Sequence, residues 1–544
     1  MHGHGPSDHG DGATLVVPPD VHRRRWAILA VLSTSLLITA VDHTIMNVAL
    51  PRMVTGLDAT TGQLQWIVDA YTVVFAGLLL TAGALGDRFG RRGALQLGLL
   101  VFLGGSILAA TAGSAGAVIF ARGVMGIGGA LVMPATLSIL TNSFGDPTER
   151  ARAIGAWAGV AGIGVALGPI AGGYLLEHFD WSSVFWVNVP LIVVALVAGR
   201  AVLPASKASD HRPLDPVGSL LSIVALTAVV YSVIEAPEQG WTSTTSLSMF
   251  AAAGLLTAAF VAWEARRRHP MLDVRLFANP RFSAASTAIT LAFFALAGAI
   301  FLITQYLQFV LGYDPLTAGV GILPAALALF LAGPLSAHVA HHIGVRLTVT
   351  VALALAAAGL ALEATLTDGT GYLPIGVGQA LFGLGLGLAM APATDAIMSS
   401  LPPDRAGVGS AVNDTTREVG SALGVAVVGS VAGSVYAGSV ATDVDSLGLT
   451  RPMADAATDN VGAAAHAATA LDPATGARLL DAANGAFVDA LHAGLWVGAG
   501  VAVAGAVIAF LWLPANRRHR ASTPSSLGPD TAITHHDDPE RTAA

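Results

Sequence analysis

Fourteen long, unbroken apolar runs dominate this chain, at about 26–50, 64–84, 94–112, 115–142, 151–175, 183–203, 214–235, 245–265, 281–311, 315–338, 344–366, 373–399, 406–437 and 485–514. A helix needs about 20 mainly apolar residues to cross the roughly 30 Å hydrocarbon core of a membrane. The runs are continuous rather than alternating, which excludes a β-barrel, the other solution for spanning lipid. Hydrophobic residue types make up 54% of the 544 residues and charged types only 11%, against about 25% charged in ordinary soluble domains. The expected fold class is therefore an all-α polytopic membrane protein with 14 spans. There is no cysteine, so disulfide staples and thiolate metal or redox sites are excluded.

The basic residues choose an orientation. Arg23 to Arg25, Arg88, Arg91, Arg92, Arg150, Arg152, Arg200, Lys207, Arg212, Arg266 to Arg268, Arg275, Arg281, Arg346, Arg405, Arg517, Arg518, Arg520 and Arg541 fall on one face, 22 of the 27. Arg52, Arg451 and Arg478 fall opposite, and Arg122 and Arg417 sit inside spans. The basic face is the cytoplasmic one, which places both termini in the cytoplasm of a multi-pass protein of the cell (plasma) membrane. Residues 1–25 are polar and are not expected to hold a cleavable signal, and 516–544 form a second polar tail. Residues 438–484 are too polar to cross and are expected to be a long, solvated extracellular loop. The net charge of -8 argues against nucleic acid as a partner.

The chain also repeats itself. Gly90 and Arg92 after the second run match Gly344 and Arg346 after the tenth, an offset of 254. Arg150-Ala151 after the fourth run matches Arg405-Ala406 after the twelfth, an offset of 255. These pairs suggest a duplicated six-helix unit, a build common among secondary transporters. The expected divisions are a cytoplasmic N-terminal tail (1–25), a six-helix half (26–205), two inserted helices (206–270), a second six-helix half (271–515) and a cytoplasmic C-terminal tail (516–544).

The stretch Gly83-Ala-Leu-Gly-Asp87-Arg88-Phe-Gly90-Arg91-Arg92 resembles the loop signature of the major facilitator superfamily. Arg122-Gly-Val-Met-Gly126-Ile-Gly128 resembles its fourth-helix motif, and Gly164-Val-Ala-Leu-Gly168-Pro169-Ile-Ala-Gly172-Gly173 the fifth-helix motif associated with antiporters. Asp42-His-Thr-Ile-Met-Asn47-Val-Ala-Leu-Pro51 and Trp181-Ser-Ser-Val-Phe-Trp-Val-Asn188-Val-Pro190 resemble motifs of its 14-helix drug:proton antiporter branch. The chain departs from the pattern at His43, and at His341 and His342 where the second-half loop would carry Asp and Arg. The resemblance implies the major facilitator fold, a monomer in the lipid bilayer, and export of lipophilic, above all cationic, drugs against protons by alternating access. The alternatives are an exporter of an endogenous lipid, siderophore or antibiotic, and a non-transporting sensor with the same fold.

The residues bear on how such export would be driven. The one lysine, Lys207, is not part of a Gly-Lys-Ser/Thr phosphate loop, and neither Gly-x-Ser-x-Gly nor His-Glu-x-x-His occurs. No enzyme activity and no cofactor is expected, with a proton gradient as the energy source. Proton coupling needs a group that changes charge, and a carboxylate inside the membrane can do so. Asp42, Asp69, Asp414 and Glu418 are such groups, and acids on the first, second and thirteenth spans are implicated in the quaternary-ammonium exporters that the chain resembles. Arg122 stays charged and can only tune a carboxylate. Asp414 and Glu418 are four apart on one helix face, with Arg417 able to pair with Asp414. A purely structural hydrogen bond or ion pair is the alternative for each. Gly164, Gly168, Pro169, Gly172 and Gly173 are expected to form a sliding contact between halves. Gly83, Asp87, Arg88, Gly90, Arg91 and Arg92 are expected to form a cytoplasmic gate, with the charges latching onto the second half.

Overall fold

The structure is a computed structural model that describes residues 18–205, 215–401 and 406–513. Lys207, Arg212, Arg405 and the C-terminal tail lie outside the described residues. In the first half of the chain the helices are α1 (Pro19–Leu57), α2 (Thr61–Phe89), α3 (Arg91–Ala110), α4 (Ala115–Ser143), α5 (Pro147–His178), α6 (Ser183–Trp186) and α7 (Asn188–Val202). Two more follow, α8 (Pro216–Gln239) and α9 (Thr244–Arg266). Then come α10 (Pro280–Gln305), which runs on into a π-turn at Tyr306–Val310, α11 (Pro315–Gly321), α12 (Leu323–Ile343), α13 (Val345–Glu363) and α14 (Tyr372–Met398). The chain continues through α15 (Ala406–Ser446), α16 (Arg451–Asp459), α17 (Val461–Ala468) and α18 (Pro473–Trp512). No strand occurs among the described residues.

Twelve helical stretches among the described residues are long and apolar enough to cross a membrane. The two other runs of the sequence, around 64–84 and 151–175, are helices as well: α2 of 29 residues and α5 of 32. Two runs read as single helices are broken. The run at 183–203 divides at Val187 into α6 and α7, and the run at 315–338 divides at Ile322 into α11 and α12.

Local sequence places the helix ends. Thr60 accepts from the Gln63 N–H while the Gln63 side chain accepts from the Thr60 N–H, a reciprocal cap at the start of α2. Ser114, Asp146, Asp215, Ser243, Asn279, Asp314 and Asp472 cap the helices that follow them. Gly90 (φ +111°) and Gly344 (φ +87°) stop α2 and α12 in left-handed geometry and let α3 and α13 start at once. These are the glycines of the repeat at offset 254.

Packing follows the repeat. α1 packs on α5, α2 and α3 pack on α4, and α7 lies against α1 and α3. In the second half α10 packs on α15, α12 and α13 pack on α14, and α18 lies against α10 and α13. The two sets meet along two seams, α2 with α15 and α5 with α11. α8 covers the first seam, touching both α2 and α15, and α9 packs chiefly on α8. Val73 of α2, Val230 and Ile234 of α8, and Ala422 and Ala426 of α15 bury one another there.

The segment 438–484 is not the solvated loop expected from its polarity. α15 extends to Ser446, α16 and α17 fill the middle, and α18 begins at Pro473. α16 has a strongly two-sided sequence, RPMADAATD, and Ala457, Val461, Ala464 and Ala468 are buried. Scattered alanines, too weak to register as a span, thus give these short helices an apolar face. They close over the bundle end that carries the α1–α2 turn: Thr61 donates to the Asp459 carbonyl (2.8 Å), and Asn460 caps α17.

Candidate functional site

Asp42 of α1 and Arg122 of α4 form a fully buried ion pair, Nη1 to Oδ2 2.5 Å, with side-chain exposures of 0% and 1%. The Arg122 Nε–H donates to the Ile67 carbonyl of α2 (3.0 Å), and its guanidinium lies over the Tyr71 ring at 4.6 Å. The second Asp42 oxygen accepts from Asn188 Nδ2 at 2.8 Å. Asn188 is the first residue of α7 and is also fully buried. Three elements therefore meet at the carboxylate, α1, α4 and α7, and a fourth, α2, holds the guanidinium. An ion pair so deep is costly to desolvate and very costly to break from one side. His43, the departure from the family pattern, turns its ring toward Tyr71 at 6.1 Å.

Glycines in α4 make room for this cluster. A Cβ on Gly129 would come within 2.6 Å of the Tyr71 hydroxyl, and one on Gly126 within 2.6 Å of the Tyr71 carbonyl. Tyr71 stacks on Phe75 (5.6 Å) and meets Phe102 edge-on (6.4 Å), which fixes the ring beneath the guanidinium.

Asp69 of α2 is fully buried, and neither of its oxygens has a hydrogen-bond partner. It sits four residues from both Gln65 and Val73, on the stripe of α2 that meets α15. The α15 charges are set differently. Arg417 Nη1 is 4.0 Å from Asp414 Oδ1, at the limit of an ion pair. Its guanidinium also reaches the Thr394 hydroxyl (3.4 Å) and lies over the Phe293 ring (5.4 Å). Asn413 Nδ2 donates to Asp414 (3.3 Å). Glu418 Oε2 is buried without a partner. The fold thus brings Asp42 and Arg122 into contact and holds Asp414 loosely to Arg417.

Two expected arrangements are corrected. Gly164, Gly168 and Gly172 do not face the other half. Cβ atoms there would strike Ala40, Thr44 and Ile45 of α1, so they seat α5 on α1 within one half. The close contact with the other half is narrower: a Cβ on Gly173 would come within 2.5 Å of Leu316 Cα, and one on Gly319 would strike the Pro169 carbonyl. The spacing of small residues is the same on both faces, which is why sequence did not separate them. Arg92, expected in a latch to the second half, instead donates to the carbonyls of Leu203 (3.0 Å) and Arg200 (2.7 Å) and caps the end of α7. Those carbonyls have no helical partner, so a nearby guanidinium satisfies them. Arg88 is exposed. The Asp87 side chain lies outside what the structure describes.

The sequence does not single out Asn188 and Gln65, which the structure places against Asp42 and against α15. Each is a neutral amide inside an apolar run, and Asn188 also lies in the Trp181–Pro190 motif; these were the available signals.

Apolar helices in two similarly packed sets, with a buried ion pair in the core, make up the build of a membrane secondary transporter. The chain belongs to the Major Facilitator Superfamily, whose sequence profile matches residues 32–425. It is 36% identical over 464 residues to "Multidrug efflux pump LfrA" of Mycolicibacterium smegmatis, covering 85% of this chain and 91% of that protein. It is 33% identical to "Methyl viologen resistance protein SmvA" of Salmonella typhimurium, covering 86% and 93%. It is 32% identical to the "Tetracenomycin C resistance and export protein" of Streptomyces glaucescens, covering 78% of each. Among solved structures, it resembles a bacterial homolog of the human lysosomal transporter Spinster, in an inward-facing and unoccupied conformation. That likeness has a TM-score of 0.62 at 16% identity, over 91% of this chain and 98% of that one.

Proposed function

We propose that this protein is a proton-coupled exporter of lipophilic, above all cationic, drugs, working by alternating access in the plasma membrane. The observation that carries the reading is the Asp42–Arg122 pair, a fully buried carboxylate on α1 in a chain whose relatives are named as multidrug efflux pumps. Asp42 is the proton-carrying acid, Arg122 tunes it, and Asp69, Asp414, Arg417 and Glu418 shape the field for the cation. With no cofactor, the energy comes from the proton gradient. Drug binds while the acid is ionised, and outward opening exposes the acid to protons. Protonation then releases the drug. Broad apolar contact suits loose specificity.

Fourteen spans and two six-helix halves, with α8 and α9 inserted, fit the repeated packing. The basic loops put both termini in the cytoplasm, and the chain acts as a monomer. The named contacts between halves, Gln65 with Ser430, Thr61 with Asp459 and Gly173 with Leu316, then lie on the external side. That arrangement is closed outside. The Streptomyces relative favours a second reading, export of a self-made antibiotic through the same fold.

The test is transport in proteoliposomes under an imposed pH gradient, with cationic and neutral solutes compared. Export of cations should follow the gradient. Transport indifferent to it overturns the antiport reading.

A further inference from the structure

Asn188 has no role in the reading above, yet it holds one of the two oxygens of Asp42. The geometry around it is specific. Asp42 Oδ2 faces Arg122 Nη1, and Asp42 Oδ1 faces Asn188 Nδ2. Both partners are donors, which suits a carboxylate, since an ionised carboxylate only accepts. The Asn188 Oδ1 atom is buried and has no partner.

Protonation changes what Asp42 requires. A neutral carboxylic acid carries one O–H that must donate, and burial without an acceptor is costly. Arg122 has no acceptor to offer. The Ile67 carbonyl near it already accepts from the Arg122 Nε–H. The remaining ionisable groups around Asp42 are His43 on α1 and Tyr71 on α2, with Glu418 of α15 in electrostatic range of Tyr71. Among the described residues, only Asn188 hydrogen-bonds to Asp42 with a group that is donor at one end and acceptor at the other. Its terminal torsion joins sp³ to sp² carbon and is broad and roughly two-fold, so the amide can turn half around in place.

We propose that Asn188 is a positioning residue that follows the protonation state of Asp42 by amide reversal. With Asp42 ionised, Nδ2 donates to Oδ1 as seen here. When a proton arrives from water and binds Oδ1, the amide turns and its own Oδ1 accepts the new O–H. No covalent bond other than the O–H forms, and loss of the proton restores the first arrangement. The turn fixes the proton on the oxygen away from Arg122. Arg122 loses its counter-charge while keeping the Ile67 carbonyl and the Tyr71 ring. Because Asn188 is the first residue of α7, at the break from α6, the change is felt where a span is already interrupted.

This inference rests on Asp42 being the coupling acid, and the experiment separates the two. The full chain in proteoliposomes is compared with Asn188→Leu, which keeps the volume without polar atoms, and Asn188→Ser, whose hydroxyl both donates and accepts. Ethidium transport is followed across pH. Asn188→Leu removes a donor from the charged form and an acceptor from the protonated one, and the bond to the charged group is the stronger, so the profile should move toward higher pH by about half to one unit. Asn188→Ser should recover most of that displacement. An Asn188→Leu profile that only loses height, with its midpoint unmoved, means packing alone and overturns the proposal.

Infrared difference spectra of the wild-type protein across pH give a second measurement that needs no folded Leu variant. The carboxyl band that Asp42→Asn removes should rise together with a side-chain amide change that Asn188→Ser removes. A carboxyl band with no accompanying amide change overturns the proposal and leaves Asp42 as the coupling acid. Wild-type transport that ignores the gradient overturns the underlying reading instead.

Discussion

Gln65 of α2 reaches Ser430 of α15, Nε2 to Oγ 3.2 Å, and the same nitrogen lies near the carbonyls of Ala426 (3.1 Å) and Val425 (3.3 Å). A Cβ on Gly429 would strike the Gln65 amide, so that glycine lets the side chain lie flat on α15. Gln65→Leu removes this tie, worth about 1 kcal/mol. The balance should shift about five-fold toward opening at that seam. Distances between spin labels on the ends of α2 and α15 nearest Thr61 and Asp459 would show it. An unchanged distance distribution would mean that Gln65 does not hold the seam.

Gly168 and Gly173 should fail in different ways. Gly168→Ala drives a methyl into Thr44 and within 3.0 Å of the Ile45 nitrogen, inside one half. Overpacking of this kind costs about 1–3 kcal/mol, and the thermal midpoint in detergent should drop. Gly173→Ala strikes Leu316 across the seam, a contact that parting the halves relieves. Its midpoint should stay near wild type while cysteine-accessibility labelling finds the α5–α11 seam open. Equal loss of stability in both variants would contradict this division.

Arg122→Leu strands the Asp42 carboxylate, which is 0% exposed. Breaking a buried pair from one side costs about 3–5 kcal/mol, so this variant should be poorly stable or absent from membranes. Asp42→Asn keeps an acceptor for the guanidinium and should reach the membrane, but without gradient-linked export. The double variant Asp42→Asn, Arg122→Leu should regain much of the stability and remain inactive. Thermal unfolding beside ethidium export reads both quantities, and a stable Arg122→Leu protein would refute a structural role for the pair.

Glu363 is a fully buried carboxyl outside the coupling set, taking a 2.8 Å hydrogen bond from Gln379 between α13 and α14. Glu363→Gln should keep wild-type export and stability, because a neutral side chain of the same shape fits the site. Glu363→Ala should cost about 2–3 kcal/mol, through the lost bond and the cavity. Export lost in the Gln variant, with stability intact, would bring Glu363 into the coupling set.

Much of this was readable from residues alone. Continuous apolar runs have one solution in lipid, so helices appear at all fourteen runs. Gly90 and Gly344 were visible as a repeat and share left-handed backbone at matching helix junctions. Asp42 and Arg122 stood out because charge is rare in such runs, but nothing in their separation of 80 positions states that they touch. Neighbour identity was the hidden quantity throughout. Gly164, Gly168 and Gly172 announce close approach without naming α1, and Arg92 announces a charge without naming the end of α7. The helices of 438–484 were missed because alanine faces satisfy packing while scoring as polar loop beside Asp and Thr.

α8 rests on α2 through Ser222, whose hydroxyl donates to the Gly77 carbonyl (3.0 Å), and on α15 through Ala422 and Ala426. The α5–α11 seam is flanked only by helices of the two sets themselves, α1 packed on α5 and α12 continuing α11, with no inserted helix lying across it among the described residues. The two flanks of this protein are therefore mechanically unlike. Parting α5 from α11 separates two helices, whereas parting α2 from α15 must also shear one of them along α8. A rocking motion about the bundle centre meets unequal friction on its two sides, and the lipids at its edge feel a lopsided machine.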